Sequence, residues 1–172
     1  MSVTYLVPPD PQDARPANRD SHAPTLPRSA SLAELAPHLS RRLVRCRRAG
    51  EQLALLWIEL DPLPPPATPA CDVQEELMRT ASLRARNRVR STDEVVQVGA
   101  NGFAVLLPGA GRTEAGIVAL RLRQTLNGAY EWEGRLTYVA VGVGEAVFPE
   151  DGPTGTELAS AAQRRLAMRQ GA

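Results

Sequence analysis

The chain has 172 residues, 43% of them hydrophobic and 23% charged, with a net charge of +1. That length suits one domain with a proper core, and the balanced charge argues against a generic polyanion binder. All 20 basic residues are arginine, which excludes chemistry that needs a lysine amine and leaves bidentate recognition by guanidinium available.

Residues 1–30 are rich in Pro, Asp, Arg and Ser and read as a disordered tail ahead of a single domain over 31–172. A helix start is expected near Ser31, with Ser29 or Ser31 at the cap. The helical pattern resumes after Pro37 and stops at Gly50. Leu53 to Leu60 is a continuous apolar run of strand length, the pattern of a central strand covered on both faces. The proline-rich stretch 62–69 is expected to be neither helix nor inner strand. A second helix is predicted from Asp72 to about Val89. Two short strands follow, Glu94 to Val98 and Phe103 to Leu107, joined by Ala-Asn-Gly turn chemistry. Thr113 to Leu126 reads as an amphipathic helix and Leu136 to Val143 as a strand ended by Gly142 and Gly144. A turn over 149–153 then leads to a last helix, Thr156 to Arg169. The order gives an α/β fold with a ferredoxin-like β-α-β-β-α-β core and additional helices.

The stretch from Arg90 to Phe103 resembles the central hairpin of a GGDEF domain, the fold that makes cyclic di-GMP from two GTP. The signature turn, normally Gly-Gly-Asp/Glu-Glu-Phe, stands here as Gly99-Ala100-Asn101-Gly102-Phe103. Leu55 to Asp61 resembles the family's first strand, and Val139 to Gly144 followed by Phe148 to Gly152 resembles its "SiGia…P.dG" segment. The likeness covers roughly residues 38–171. Arg90 and Asp93, nine and six residues before Gly99, match the family's Arg-x-x-Asp product site. Arg121 falls 22 residues after Gly99, where some members carry a further arginine of that site.

The resemblance also implies lost catalysis. Family cyclases hold two divalent cations with an Asp at the first strand's end and an acidic residue in the signature turn. Here Glu59 stands at the first position, and the turn offers Asn101 and Gly102. A single carboxylate is poor support for metals that must neutralise a triphosphate. The "FK.iND" segment is replaced by the proline run, Glu75 stands alone at a guanine-binding position, and the terminal signature lacks its Asp and Lys. The expectation is therefore no catalytic residues, no metal and no cofactor, with cyclic di-GMP as a ligand of Arg90, Asp93 and Arg121.

The chemistry fits those residue types. Guanine presents O6 and N7 to an arginine fork, and its N1–H and amine to a carboxylate. Arg-x-x-Asp is also the spacing of an ordinary helix-end ion pair. Lacking an output domain of its own, such a receptor would signal through a protein partner, and a dinucleotide with two faces can bridge a homodimer. The alternative is a ligand-independent scaffold or dimerisation module derived from a dead cyclase.

The remaining features read as structural. Arg41, Arg42, Arg45, Arg47 and Arg48 spread too broadly for one recognition face and lack interleaved aromatics, so nucleic acid is not expected. The proline run either presents a polyproline II ligand or seals a disused pocket. Trp57 reads as core, and Trp132 as part of a loop or hairpin. His22 and His38 have no metal partner in view. Cys46 and Cys71 lack metal or disulfide-framework spacing and a nearby activating His, which fits inert thiols in a reducing compartment. No leader and no stretch of ~20 apolar residues is evident, and the expected location is cytoplasmic.

Overall fold

The apolar run that opens at Leu53 becomes the strand around which the sheet is built. The computed structural model describes residues 26–63, 71–132 and 135–170. Its elements are β1 (Arg28–Ser29), α1 (Leu32–Ala49), β2 (Leu53–Leu63), α2 (Cys71–Arg86), β3 (Glu94–Val98), β4 (Gly102–Pro108), α3 (Arg112–Leu126), β5 (Gly128–Trp132), β6 (Arg135–Phe148) and α4 (Gly155–Gln170). The strands form one sheet in the order β1-β3-β4-β2-β6-β5. All neighbours are antiparallel except the β1–β3 pair. The expected β-α-β-β-α-β core is present as β2-α2-β3-β4-α3-β6.

Alternation along β2 divides the interior into two cores. Ala54, Leu56, Ile58 and Leu60 pack with α2 and α3 through Met78, Ala81, Ala119 and Leu122. Leu53, Leu55 and Trp57 face α1 and α4, among Leu39, Leu43, Ala162 and Leu166. Both faces of the strand are covered, which explains why its sequence shows no polar alternation.

Helix α1 begins where its capping chemistry directs. Ser31 accepts from the Glu34 amide, and Glu34 reaches back to the Ala30 amide at 2.8 Å. Gly50 closes the helix at φ +67, a conformation that favours glycine.

Several expectations are corrected. The tail was expected to extend to residue 30, yet Arg28 and Ser29 pair with Gln97 and Val98, because β3 would otherwise present an open edge. Residues 1–25 lie outside the described residues. Pro37 does not interrupt α1. Leu35, Leu39, Leu43 and Cys46 are buried along one stripe that crosses it, and that packing offsets the missing amide bond.

β2 continues through Pro62 to Leu63, paired with Val139 and Tyr138. The Leu60 amide bonds Asn101 on the β4 side, so position 62 turns its nitrogen to that same side. There β4 pairing has already ended at Glu59, and proline forfeits no ladder bond. The rest of the proline run, 64–69, lies outside the described residues.

β6 runs through Gly142 and Gly144 to Phe148. A Cβ at Gly144 would lie 2.0 Å from the Ala162 carbonyl oxygen and 2.6 Å from the Leu166 nitrogen, so this glycine admits α4 against the strand. β5, which contains Trp132, is an edge strand hairpinned to β6 and was not expected as a strand.

Candidate ligand site

The segment between the end of α2 and the start of β3 carries Arg90 and Asp93. Asp93 is only 7% exposed. Its Oδ2 accepts from the Arg90 backbone amide at 2.8 Å, while its own amide donates to the Arg90 carbonyl at 3.2 Å. The carboxylate therefore closes the turn on its own backbone, the role short acidic side chains commonly take where a helix gives way to a strand.

The turn is held from outside by Arg86, in the last turn of α2. Its guanidinium donates to the carbonyls of Asp93 at 2.7 Å, Arg90 at 3.3 Å and Ser91 at 3.4 Å. Sequence reasoning passed over Arg86. The available signal was its place at the helix C-terminus, from which an arginine can reach carbonyls of the turn that follows.

Arg90, its amide held in the turn, is exposed. It lines a cavity of about 370 Å³ with Asn87, Glu114, Ile117, Val118 and Arg121. Two of the three predicted site residues, Arg90 and Arg121, thus share one cavity wall, and Asp93 is not among its lining residues. Glu114 is a lining residue that sequence reasoning did not single out. The spacing Gly111-x-x-Glu114 marked it as a capping residue at the start of α3, seven positions before Arg121. The Gly111 amide does donate to its Oε2, at 3.1 Å.

The signature turn is tied into the fold differently. Asn101 exchanges bonds with the β2 backbone: its carbonyl accepts from the Leu60 amide at 2.9 Å and its side-chain amide donates to the Leu60 carbonyl at 3.3 Å. Gln74 of α2 donates to the Ala100 carbonyl at 2.9 Å. Glu59 accepts from the Trp57 indole at 3.1 Å, and Glu75 lies 3.6 Å from Arg28. A Cβ at Gly102 would stand 3.0 Å from the Val98 carbonyl oxygen and 3.1 Å from that of Ile58, so strands close in where the family carries an acid. Among the described residues no three His, Cys, Asp or Glu side chains gather as a metal site.

The arginine run of α1 is partly engaged. Arg42 binds Glu94 with bonds of 3.0 and 2.6 Å, and Arg47 lies over the Phe148 ring. Cys46 is buried, and that burial raises its thiol pKa. No helix among the described residues is long and apolar enough to cross a membrane.

Residues 31–170 match the family described as "Diguanylate cyclase, GGDEF domain". Among curated proteins, the chain is 29% identical over 119 residues to the cyclic di-GMP phosphodiesterase NbdA of Pseudomonas aeruginosa. The matched region is 69% of this chain but only 15% of that protein's length. The solved GGDEF domain of YfiN (TpbB) from P. aeruginosa is similar at 24% identity and a TM-score of 0.70, over 85% of this chain and 92% of that one. The GGDEF domain of DgcB from Caulobacter crescentus, solved with c-di-GMP, is 13% identical with a TM-score of 0.64, over 78% of this chain and 82% of that one. At such identities the likeness of structure speaks for the fold alone. With the family match spanning most of its length and the cyclase-type sheet in place, this chain belongs to the GGDEF domain family.

Proposed function

We propose that this GGDEF domain is a non-catalytic receptor for cyclic di-GMP that signals through contact with another protein. The observation that carries the reading is the convergence of Arg90 and Arg121 on one cavity of about 370 Å³, within the size range of small-molecule sites. Two guanidinium forks suit the O6/N7 edge of guanine or the bridging phosphates. Each well-made charge-assisted bond contributes roughly 1.5–3 kcal/mol, which suits micromolar binding of about −8 kcal/mol once ordering costs are met. Asp93 serves this site by shaping the turn that aims Arg90.

Loss of catalysis is supported by the signature turn. Asn101 and Gly102 supply no carboxylate, and Glu59 is already bonded to Trp57. The metal-held triphosphate chemistry of the family has little to rest on here.

Calorimetric titration of cyclic di-GMP into the wild type, Arg90→Ala and Arg121→Ala tests the proposal. Micromolar binding that weakens at least ~10-fold in either variant is expected. No heat and no thermal shift at high ligand concentration would refute a receptor. A cyclic dinucleotide formed from GTP and Mg²⁺ would refute the loss of catalysis.

A ligand-independent interaction module is the second reading, favoured by one feature. Leu63 pairs across the ladder with Tyr138, two residues from Leu136 on the same face, and these side chains are 52%, 60% and 65% exposed. Exposed apolar patches commonly mark contact surfaces. A partner bound equally well with and without nucleotide, and lost on Tyr138→Glu, would establish that reading.

A further inference from the structure

We infer that the outer face of α1 is a docking surface for an acidic helix of a partner protein, held by Arg41, Arg45 and Arg48. The surface belongs to α1 alone and is independent of the cavity read as a nucleotide site.

The five arginines of this helix divide by what they touch. Arg42 is spent on Glu94, with bonds of 3.0 and 2.6 Å. Arg47 donates to the Pro153 carbonyl at 2.9 Å and lies over the Phe148 ring. Arg41, Arg45 and Arg48 are exposed and have no hydrogen bond or ion pair among the described residues. The run as a whole is too broad for one recognition face, but these three stand at i, i+4 and i+7. They fall within about 60° of the helix circumference and span roughly 10.5 Å of its axis, opposite the buried stripe of Leu35, Leu39, Leu43 and Cys46. The helix dipole favours Arg48, in the last turn, but gives Arg41 nothing at mid-helix. No acid stands on α1 after Glu34, whose Oε2 is bonded to the Ala30 amide at 2.8 Å. Like charges at this spacing repel one another, and their counter-charge is left to come from outside.

Spacing and side chains select the occupant. A helix laid along α1 repeats the same rise, so carboxylates at its own i, i+4 and i+7 can meet the three guanidinium forks in turn. Guanidinium binds carboxylate through two parallel bonds, a geometry an ammonium lacks. Val44 is 42% exposed, three residues after Arg41 and four before Arg48, and offers an apolar contact between the charges. Three arginines fall short of the roughly 4–8 basic residues that mark an anionic-membrane surface, and one valine is little to insert. DNA needs a wider cationic footprint, and α1 carries no Phe, Tyr or Trp on which a single strand could stack.

The test is fluorescence anisotropy on the whole chain with a labelled alanine-based helical peptide carrying Glu at i, i+4 and i+7 and Leu at i+3. Its Gln counterpart, a DNA duplex and phosphatidylserine vesicles are the comparison probes. The Glu peptide should bind with a Kd on the order of 100 µM at low salt, at least ~10-fold tighter than the Gln peptide, and weaken as salt rises. Arg45→Glu should weaken it at least ~10-fold at an unchanged melting temperature. A peptide with Arg in place of the central Glu should restore binding to that variant. Arg123→Glu, the same charge change on α3 in the other layer, should leave affinity within ~2-fold. No saturable binding of the Glu peptide, or equal binding of the Glu and Gln peptides, overturns the inference. So does an Arg45→Glu loss no greater than that of Arg123→Glu, or one the swapped peptide does not restore. DNA or vesicles bound more tightly than the Glu peptide, with that binding lost in Arg45→Glu, would assign the face to another class of partner and overturn it equally.

Discussion

Arg86 offers the sharpest test of how the candidate site is built, because it is not among the residues that line the cavity yet holds the turn that carries Arg90. In Arg86→Ala the carbonyls of Arg90, Ser91 and Asp93 lose their donor together. The 2.7 Å bond to Asp93 is partly buried, and a charge-assisted bond of that kind contributes about 1.5–3 kcal/mol. The bonds of 3.3 and 3.4 Å are exposed, and water replaces them at little cost. The expected destabilisation is therefore about 2 kcal/mol, read as a shift in urea midpoint with an unchanged slope. Hydrogen exchange should quicken at the Arg90 and Asp93 amides, which close the turn. Affinity for cyclic di-GMP should fall with it. Arg86→Lys should recover only part of the loss, since a single ammonium cannot span three carbonyls. A loss below ~0.5 kcal/mol, with both amides exchanging as before, would refute the idea that Arg86 supports the turn.

Other outcomes follow from the packing and the charges. Gly144→Ala should cost at least about 2 kcal/mol in thermal or urea unfolding, because the new methyl meets the Ala162 backbone at 2.0 Å. Gly116→Ala in α3, where the nearest atom is the Glu145 carboxylate at 4.0 Å, should instead stabilise by ~0.5–1 kcal/mol. Asp151 is held down to a pKa of about 2, first by the Arg165 guanidinium and then by the Val147 amide and Arg112. A depressed carboxyl contributes stability above its unfolded value and loses it as pH falls through the folded one. Wild-type unfolding should therefore show a loss of about 2 kcal/mol from pH 4 downward, which is blunted in Asp151→Asn. Restoring acids with Asn101→Asp and Gly102→Glu together should yield no cyclic dinucleotide from GTP and Mg²⁺ by chromatography, since Glu59 stays bonded to the Trp57 indole and a Cβ at 102 stands only 3.0 and 3.1 Å from the Val98 and Ile58 carbonyl oxygens.

Much of the fold was legible because its signals are chemical and local. Ser31 and Gly50 bound α1, and the Ala-Asn-Gly turn joins β3 to β4 as expected. The misreadings share a physical origin. Gly144 looks like a strand end until a helix is known to press on it, and Pro62 looks like a strand breaker until its open side is known. β5 was missed because the edge segment Gly-Ala-Tyr-Glu-Trp has one side in water and owes its pairing to the hairpin with β6. In each case a residue's meaning depends on what packs against it, which propensity cannot supply.

The same dependence governs the site. Arg90, Asp93 and Arg121 were selected by type and spacing, which report what a side chain can bind but not where it points. Arginine is long, and from an exposed turn and an exposed helix face the two guanidinium groups can converge. Aspartate is short, and three residues after Arg90 its nearest donor is the turn's own amide, at 2.8 Å. Opening that bond for a ligand would free the Arg90 amide and loosen the very segment that aims its guanidinium. The turn therefore holds one oxygen of the Asp93 carboxylate. In this setting the Asp of the Arg-x-x-Asp motif braces the turn, and the Arg is the residue that lines the cavity.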